Sequence, residues 1–412
     1  MWDRVLDHML GKLIRVGTLV LQLPDGTTLR HGDGTPPEVS VILTDPALPA
    51  RLVRSPDLAV GEAYMNGTLV IGGDDLHGLL SLAMRNTTET GHVWWHRGIA
   101  RVREALKFLS QFNPTPRARR NVAHHYDLSG ELYDLFLDAD RQYSCAYFKQ
   151  PTDTLEQAQA QKKAHIAAKL RLEPGMRVLD IGCGWGGLGL TLARDYGAQV
   201  LGVTLSAEQH KIARHRAETA GLAAQVEFRL TDYRHVTGQF DRVVSVGMFE
   251  HVGVPHYREF FRQVSDRLAP DGVALIHTIG RAAPPGYTSP WIAKYIFPGG
   301  YVPSLSELMP AVEREGLWTT DIEVWRMHYA ETLRHWHDRF IANIGRARTI
   351  YDERFCRMWR YYLVASEVTF RHGRQCVFQV QLAHDQQAVP LTRDYIAAAA
   401  AAARSKLVEA AE

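Results

Sequence analysis

Val178-Leu179-Asp180-Ile181-Gly182-Cys183-Gly184-Trp185-Gly186-Gly187 reads as a strand end running straight into a turn with four glycines in six positions. A turn without Cβ atoms lets the backbone pass close to a bound cofactor, and the helix that follows aims its free N–H groups at the same place. Asp180 sits two residues before the first glycine, still inside the strand.

The flanking pattern extends this into a fold. From about residue 165 strand-like and helical runs alternate. Strands are expected at 177–181, 199–204, 226–230, 241–246, 272–278, 321–325 and 377–382, and helices at 186–196, 207–220, 257–268 and 305–315. The last two strands are separated by a long, aromatic-rich helical insertion at about 330–370. The expected fold class is α/β: a Rossmann-like, seven-stranded, doubly wound sheet with a smaller N-terminal domain.

Gly182-x-Gly184-x-x-Gly187 also fits the dinucleotide fingerprint, which wants an acid at the end of strand 2 to hold a ribose. Strand 2 ends Gly202-Val203-Thr204-Leu205-Ser206, without one. Many S-adenosylmethionine (SAM) enzymes place an acid there too, so its absence weakens both readings. Asp180 inside the motif favours SAM, and Asp232 after strand 3 is placed to accept from an adenine amine. The bland reading is a turn that only helps a helix pack on a sheet, which seven strands in the expected order disfavour.

Composition sets bounds. The chain has 412 residues and a net charge of +2, so no global electrostatic case for nucleic acid arises. Its four cysteines, Cys145, Cys183, Cys356 and Cys376, are scattered without a CxxC pair, which indicates neither a disulfide framework nor zinc and fits a reducing cytoplasm. Adjacent His124-His125 and His335-x-His337 lack the pattern of a metal site, so no metal is expected. Asp3, Arg4 and Asp7 argue against a signal peptide. No run approaches the roughly 20 apolar residues of a membrane span.

Residues 1–110 mix short β-like runs (17–23, 39–43) with the turn pairs Asp25-Gly26, Asn66-Gly67 and Gly72-Gly73, and read as a small α+β domain. Within them, 94–109 reads as an amphipathic helix. Trp95, Ile99, Val102, Leu106 and Leu109 share one face, with Arg97, Arg101, Arg103 and Lys107 on its flanks and back. Such a helix suits an anionic membrane surface; packing its apolar face on a neighbouring domain is the competing reading. A proline-containing linker follows at 111–125, then a catalytic domain at 126–393 and an Ala-rich C-terminal helix at 394–412.

From about Asn121 to Leu382 the chain resembles the cyclopropane-fatty-acyl-phospholipid synthases and their mycolic-acid relatives. Several separate motifs carry the resemblance. They are Asn-Val-Ala-His-His-Tyr-Asp at 121–127, Tyr-Ser-Cys-Ala-Tyr-Phe at 143–148, the glycine loop, Val-Thr-Leu-Ser-Ala-Glu-Gln at 203–209 and Asp-Tyr-Arg at 232–234. Ser-Val-Gly-Met-Phe-Glu-His-Val-Gly at 245–253, His-Thr-Ile-Gly at 277–280 and Trp-Ile-Ala-Lys-Tyr-Ile-Phe-Pro at 291–298 complete the set. Residues 1–110 resemble the family's smaller domain only in size and position.

The resemblance implies transfer of a methylene group from SAM to a cis double bond in an unsaturated phospholipid acyl chain, through a carbocation in a dry pocket, with bound bicarbonate as base. It implies a bicarbonate pocket of Cys145, Glu250, His277 and Tyr329. Taken alone, Glu250 reads equally as a helix N-cap and His277 as a satisfied core histidine. SAM contacts are implied for Tyr143, Ser144, Thr204, Leu205, Ser206, Gln209, Asp232 and Tyr233, beside Asp180, Gly182, Gly184 and Gly186 of the loop. Gln209 would take the part of the missing strand-2 acid. Tyr143, Tyr147, Phe148, Trp291, Tyr295 and Phe297 are candidate faces for the cation, with core packing favoured for Phe148 and Phe297.

One departure bears on the product. The family usually has a cysteine where this chain has Ser366. With a displaced base the cation loses a neighbouring proton instead, giving a methyl-branched or methylene chain. Three readings stay open: a cyclopropane synthase, a lipid C-methyltransferase, and a non-catalytic SAM-fold lipid-binding protein. The expected location is cytoplasmic, on the inner membrane face; a homodimer is left open.

Overall fold

The structure is a computed structural model that describes residues 1–90, 111 and 130–399. The basic helix expected at 94–109, most of the linker at 111–125, and residues 400–412 lie outside the described residues. The described chain forms two compact units. The first takes 1–90, 286–298 and 329–375, and the second takes 111, 130–285, 299–328 and 376–399.

In the first unit, β1 (Thr18–Gln22), β2 (Thr28–Gly32), β3 (Glu38–Leu43) and β4 (Leu69–Ile71) form a sheet in the order β2-β1-β3-β4. β1 and β2 are an antiparallel hairpin closed at Asp25-Gly26, where Gly26 takes φ +88°. β3 alternates, burying Val39, Val41 and Leu43 while Glu38, Ser40 and Ile42 face out, the period-2 pattern of a half-buried strand. The insertion supplies helices His328–Ala342, Ile344–Ile350 and Glu353–His372. The last of these packs on helices Pro56–Met65 and Leu76–Thr90. Trp291 is buried here, its Nε1 3.3 Å from Met65 Sδ. A Cβ at Gly61 would stand 2.4 Å from that nitrogen, so the helix needs glycine there for the indole to pack. Lys294 Nζ and Tyr295 OH both donate to Glu62 Oε1.

In the second unit, β5 (Arg177–Ile181), β6 (Gln199–Thr204), β7 (Val226–Leu230), β8 (Phe240–Val246), β9 (Leu268–Arg281), β10 (Trp318–Trp325) and β11 (Gln375–Ala383) build one sheet in the order β10-β11-β9-β8-β5-β6-β7. The five strands β5 to β9 pair in parallel, and β10 pairs antiparallel with β11, so the sheet is mixed. All seven strands fall where the sequence indicates them. β9 is the longest departure: expected over 272–278, it begins at Leu268 and runs to Arg281.

Alternate strand residues fill opposite faces. Leu179, Ile181, Val243, Ala274 and Ile276 join one apolar cluster; Val178, Val244 and Leu275 join the other. A sheet buried on both faces explains the near-continuous apolar runs in the sequence. The chain leaves β5 for β6 and β7, then returns to the other side of β5 as β8. This reversal is the switch point at whose carboxyl ends open α/β sheets hold ligands. No described helix is long and apolar enough to cross a membrane.

Candidate active site

The glycine loop leaves β5 at that switch point. Gly182 and Gly186 take φ +84° and +83°, and Gly186 precedes helix Gly187–Tyr196. Each is confined: an added Cβ would stand 2.8 Å from Met248 Cβ at Gly182 and 2.6 Å from Phe228 Cζ at Gly186. Gly184, at φ +54°, has nothing within 4 Å of where its Cβ would be. The loop therefore presses its outer glycines into the fold and opens its central one to space, a cradle of the kind a cofactor backbone contact requires.

A second loop, residues 138–145, is latched to the first. Arg216 Nη1 donates to the Trp185 carbonyl at 2.9 Å, and the same guanidinium pairs with Asp140. Asp140 also accepts from Lys163 Nζ and Gln142 Nε2. Burial alone would raise the Asp140 pKa, but the Lys163 and Arg216 cations beside it hold it below the ordinary value. The latch fixes Tyr143 and Ser144 relative to the glycine loop. Ser144 Oγ accepts from buried Lys162 at 2.7 Å.

Asp180 is 1% exposed, and its Oδ2 has no hydrogen-bond partner among the described residues. Burial pushes its pKa up to about 7, with Lys162 pulling the other way. A buried acceptor without a donor is what the ammonium of a bound amino-acid moiety would satisfy.

Thr204, Leu205, Ser206 and Gln209 follow β6. Ser206 caps helix Ala207–Thr219 through the Gln209 N–H, and Thr204 Oγ1 donates to Gln209 Oε1 at 2.9 Å. The buried Gln209 carbonyl is thereby fixed, which leaves its amide N–H groups as donors where an acid would only accept. Asp232 caps the short helix Tyr233–His235 and is gripped by Arg234 Nε and Nη2 at 2.8 and 2.7 Å. Burial raises the Asp232 pKa, but the Arg234 hydrogen bonds outweigh it, so the carboxylate stays ionised. Tyr233 packs edge-on to Phe260.

Glu250 and His277 stand at the carboxyl ends of β8 and β9. Glu250 lies in the helical turn Phe249–His251, 8% exposed, and Oε1 accepts from the Ile279 N–H at 2.6 Å. Oε2 is buried without a partner among the described residues. Burial pushes the Glu250 pKa up to about 7. His277, paired in register with Val246, receives Gln379 Nε2 at Nδ1, 3.1 Å away. With the Gln379 amide donating to Nδ1, the ring proton is assigned to Nε2. Burial, with Lys162, Lys169 and His165 adding to it, keeps the imidazole pKa well below its usual value. Burial thus sets a carboxyl group near neutrality after β8 and a largely neutral imidazole on β9, one an acceptor and the other a donor. Cys145 is fully buried on the latched loop, its Sγ 3.4 Å from the Ala146 carbonyl. Tyr329 and Ser366 belong to the first unit. Tyr329 is 8% exposed between Trp336 and Phe370, and half-buried Ser366 lies in helix Glu353–His372.

The aromatic candidates sort by environment. Tyr147 stacks against His165 and His328, with centroids 4.6 and 4.8 Å away, in a cluster that also holds Trp325. Trp291 packs into the first unit's interior, as above. Sequence reasoning missed Gln379, the partner of His277, because one glutamine in an apolar final strand carries no motif. It also missed the ion cluster of Lys169, His165, Asp321, Glu323 and Arg393 at β10. The missed signal was three basic residues, Lys162, His165 and Lys169, at 3-4 spacing on one helix face. No cluster of described residues is composed to hold a metal ion.

Residues 114–380 match the family model described as mycolic acid cyclopropane synthetase, and residues 5–92 match one described as a domain of unknown function. The cyclopropane-fatty-acyl-phospholipid synthase of Escherichia coli K12 is 42% identical over 324 residues, covering 78% of this chain and 81% of that protein. The tuberculostearic acid methyltransferase UfaA1 of Mycobacterium tuberculosis is 37% identical over 384 residues, covering 88% and 86%. The solved structure of the mycolic acid cyclopropane synthase CmaA1 with SAH and CTAB superposes with a TM-score of 0.62 at 33% identity, over 66% of this chain and 99% of that one.

Proposed function

Because this chain belongs to the mycolic acid cyclopropane synthetase family and is a SAM-dependent methyltransferase, we propose that it adds a methylene group across the cis double bond of an unsaturated phospholipid acyl chain. The observation that carries the reading lies at the switch point: Glu250 has a buried Oε2 without a partner among the described residues, and His277 faces the Gln379 amide at Nδ1, which leaves Nε2 for the reaction.

The balance of the reaction sets what the residues must do. The alkene electron pair forms a bond to the sulfonium methyl, and the C–S pair stays on sulfur as S-adenosylhomocysteine. The cation left on the neighbouring carbon closes to a ring when the new methyl loses a proton. One proton leaves per turnover. The glycine cradle and the latched 138–145 loop hold the sulfonium in line, which an alkene, a weak nucleophile, requires. Water must be kept out, because it would trap the cation as an alcohol.

Bicarbonate, when bound, would supply the base. The residues fit such an anion only as a hydrogen-bonding set. Glu250 Oε2 would accept its proton, His277 Nε2 would donate to it, and Cys145 would lie in the same set. A carboxylate alone would repel the anion; one pushed up to about 7 by burial tolerates it by sharing the proton. Tyr143, Ser144, Asp180, Thr204 to Gln209, Asp232 and Tyr233 are proposed to line the SAM site. The membrane location is proposed from the lipid substrate and the basic, amphipathic sequence at 94–109. One feature favours a second reading. Ser366 stands where the family resemblance expects cysteine, and a relative named as a methyltransferase is 37% identical beside the 42% of one named as a cyclopropane synthase. The second product would be a methyl-branched or methylene chain.

Purified protein incubated with SAM and vesicles of mono-unsaturated phospholipid tests the reading by acyl-chain mass spectrometry. A one-carbon mass gain is expected; unchanged chains beside normal SAM binding would overturn it.

A further inference from the structure

Helix Leu155–Lys169 carries a buried lysine that the reaction does not explain. Lys162 is 1% exposed, and its ammonium donates to Gln142 Oε1 at 2.8 Å and to Ser144 Oγ at 2.7 Å. One turn earlier on the same helix, Gln159 Nε2 donates to the backbone carbonyls of Gln142 and Ser144 at 3.2 and 3.0 Å. Gln159 thus holds the backbone of the loop that carries Tyr143, and Lys162 holds its side chains. An ammonium has three protons, and Asp180 on β5 is a further charged neighbour within its field. Simple core packing would be served better by an apolar side chain of the same length, since burying an ammonium is costly.

We propose that Lys162 is a positioning residue for the methyl donor: it fixes Gln142 and Ser144 on the loop that carries Tyr143, close to Asp180, whose Oδ2 receives the donor's ammonium. The inference rests on the SAM reading of the glycine loop and deepens it. The charged and titratable groups facing Lys162 are Asp138, Asp140 and Cys145 on the latched loop, Lys163 beside it, Asp180 on β5 and His277 on β9. Among these groups Asp138 already receives the N–H groups of Gln142 and Asp140, and Asp140 is committed to Lys163 and Arg216. Asp180 alone has an oxygen without a partner. Burial sets both partners near neutrality, Asp180 pushed up to about 7 and Lys162 pushed down to about 7. A donor ammonium beside Asp180 favours its ionised form, so binding releases a proton and tightens as pH rises through about 6 to 8.

The test is calorimetric binding of S-adenosylhomocysteine, which keeps the ammonium, to wild type and Lys162→Met across that pH range, with kcat and KM for SAM alongside. In Lys162→Met, affinity at neutral pH should fall about tenfold or more, and its rise should move to higher pH, because Asp180 has lost its countercharge. KM for SAM should carry most of the loss and kcat little. A folded Lys162→Met protein with wild-type affinity and pH profile would overturn the proposal. Should that variant not fold, wild type alone decides: titrations in two buffers of different ionisation enthalpy should show fractional proton release near neutrality, and none would overturn it. Absence of any binding by wild type would instead refute the SAM reading beneath.

Discussion

The Ile279 backbone N–H donates to Glu250 Oε1 at 2.6 Å, while Glu250 Oε2 lies buried with no hydrogen-bond partner among the described residues. The Thr278 hydroxyl donates to the Ile279 carbonyl at 3.1 Å and also lies close enough to the Glu250 carboxyl to favour its ionised form against burial. One oxygen is thus fixed by the backbone, and the other is the one proposed to meet the reacting proton.

That arrangement predicts the acid limb of the rate profile. Glu250 is pushed up to about 7 by burial, so kcat/KM should fall as pH drops below about 7, where its acceptor oxygen becomes protonated. Glu250→Gln should lower kcat by about a hundredfold or more with SAM affinity retained. Stability should move the opposite way. A carboxyl whose folded pKa is raised contributes stability below its unfolded pKa and loses it as pH rises through the folded value. Glu250→Gln should therefore gain thermal stability over wild type between about pH 5 and 8. A variant with wild-type turnover would remove Glu250 from the chemistry.

Gln379 should matter through His277. Its Nε2 holds Nδ1 as acceptor and so keeps the proton on Nε2. Gln379→Leu frees the tautomer, and kcat should fall about tenfold while KM for SAM stays unchanged. Equal losses in both parameters would indicate general disruption of β11 instead.

The glycines should separate binding from folding. Gly184→Ala meets open space at φ +54°, costing about 1–2 kcal/mol of backbone strain, and should abolish SAM binding in a folded protein. Gly186→Ala meets Phe228 Cζ at 2.6 Å and should lower the thermal midpoint as well. Calorimetry with SAM and thermal unfolding of both variants check this; retained binding in Gly184→Ala contradicts the cradle.

The β10 ion cluster should be structural. Lys169, fully buried, pairs with Asp321 at 3.0 Å and Glu323 at 2.6 Å. Lys169→Met leaves both carboxylates short of a cation and should destabilise the protein by about 3–5 kcal/mol by denaturant unfolding. A loss below about 1 kcal/mol would show that Arg393 and His165 suffice.

The sheet was legible because its strands are buried on both faces, which writes continuous apolar runs into the chain, and because helical turns punctuate them, two opened by side-chain caps. Ser206 and Asp232 are such caps, and both also fall in the candidate SAM site. Glu250 and His277 were legible through motifs, and their positions at strand ends through periodicity. Lys162 was not, because a lysine in a helix ordinarily faces water; only the tertiary placement of Gln142, Ser144 and Asp180 gives it a reason to be buried. Tyr147 is a similar case: an aromatic motif does not reveal that His165 and His328 stack against its ring. β9 extends beyond 272–278 because pairing with β8 is already made at Leu268, the register only shifting between Phe240 and Arg242.

Ser366 bears on how the cation is resolved. Ser366→Cys should raise the share of ring product over methylated alkene, measured by NMR of the isolated acyl chains, if the side chain helps seat the base. An unchanged ratio would assign that control to other residues.

The most direct measurement follows the transferred carbon itself. The protein, SAM carrying a 13C methyl group and mono-unsaturated phospholipid vesicles are incubated together, and the extracted lipid is analysed by carbon and proton NMR. The account predicts the label in an upfield cyclopropane methylene joined to both former alkene carbons. Label absent from the acyl chain, with SAM turned over elsewhere or not at all, would contradict it.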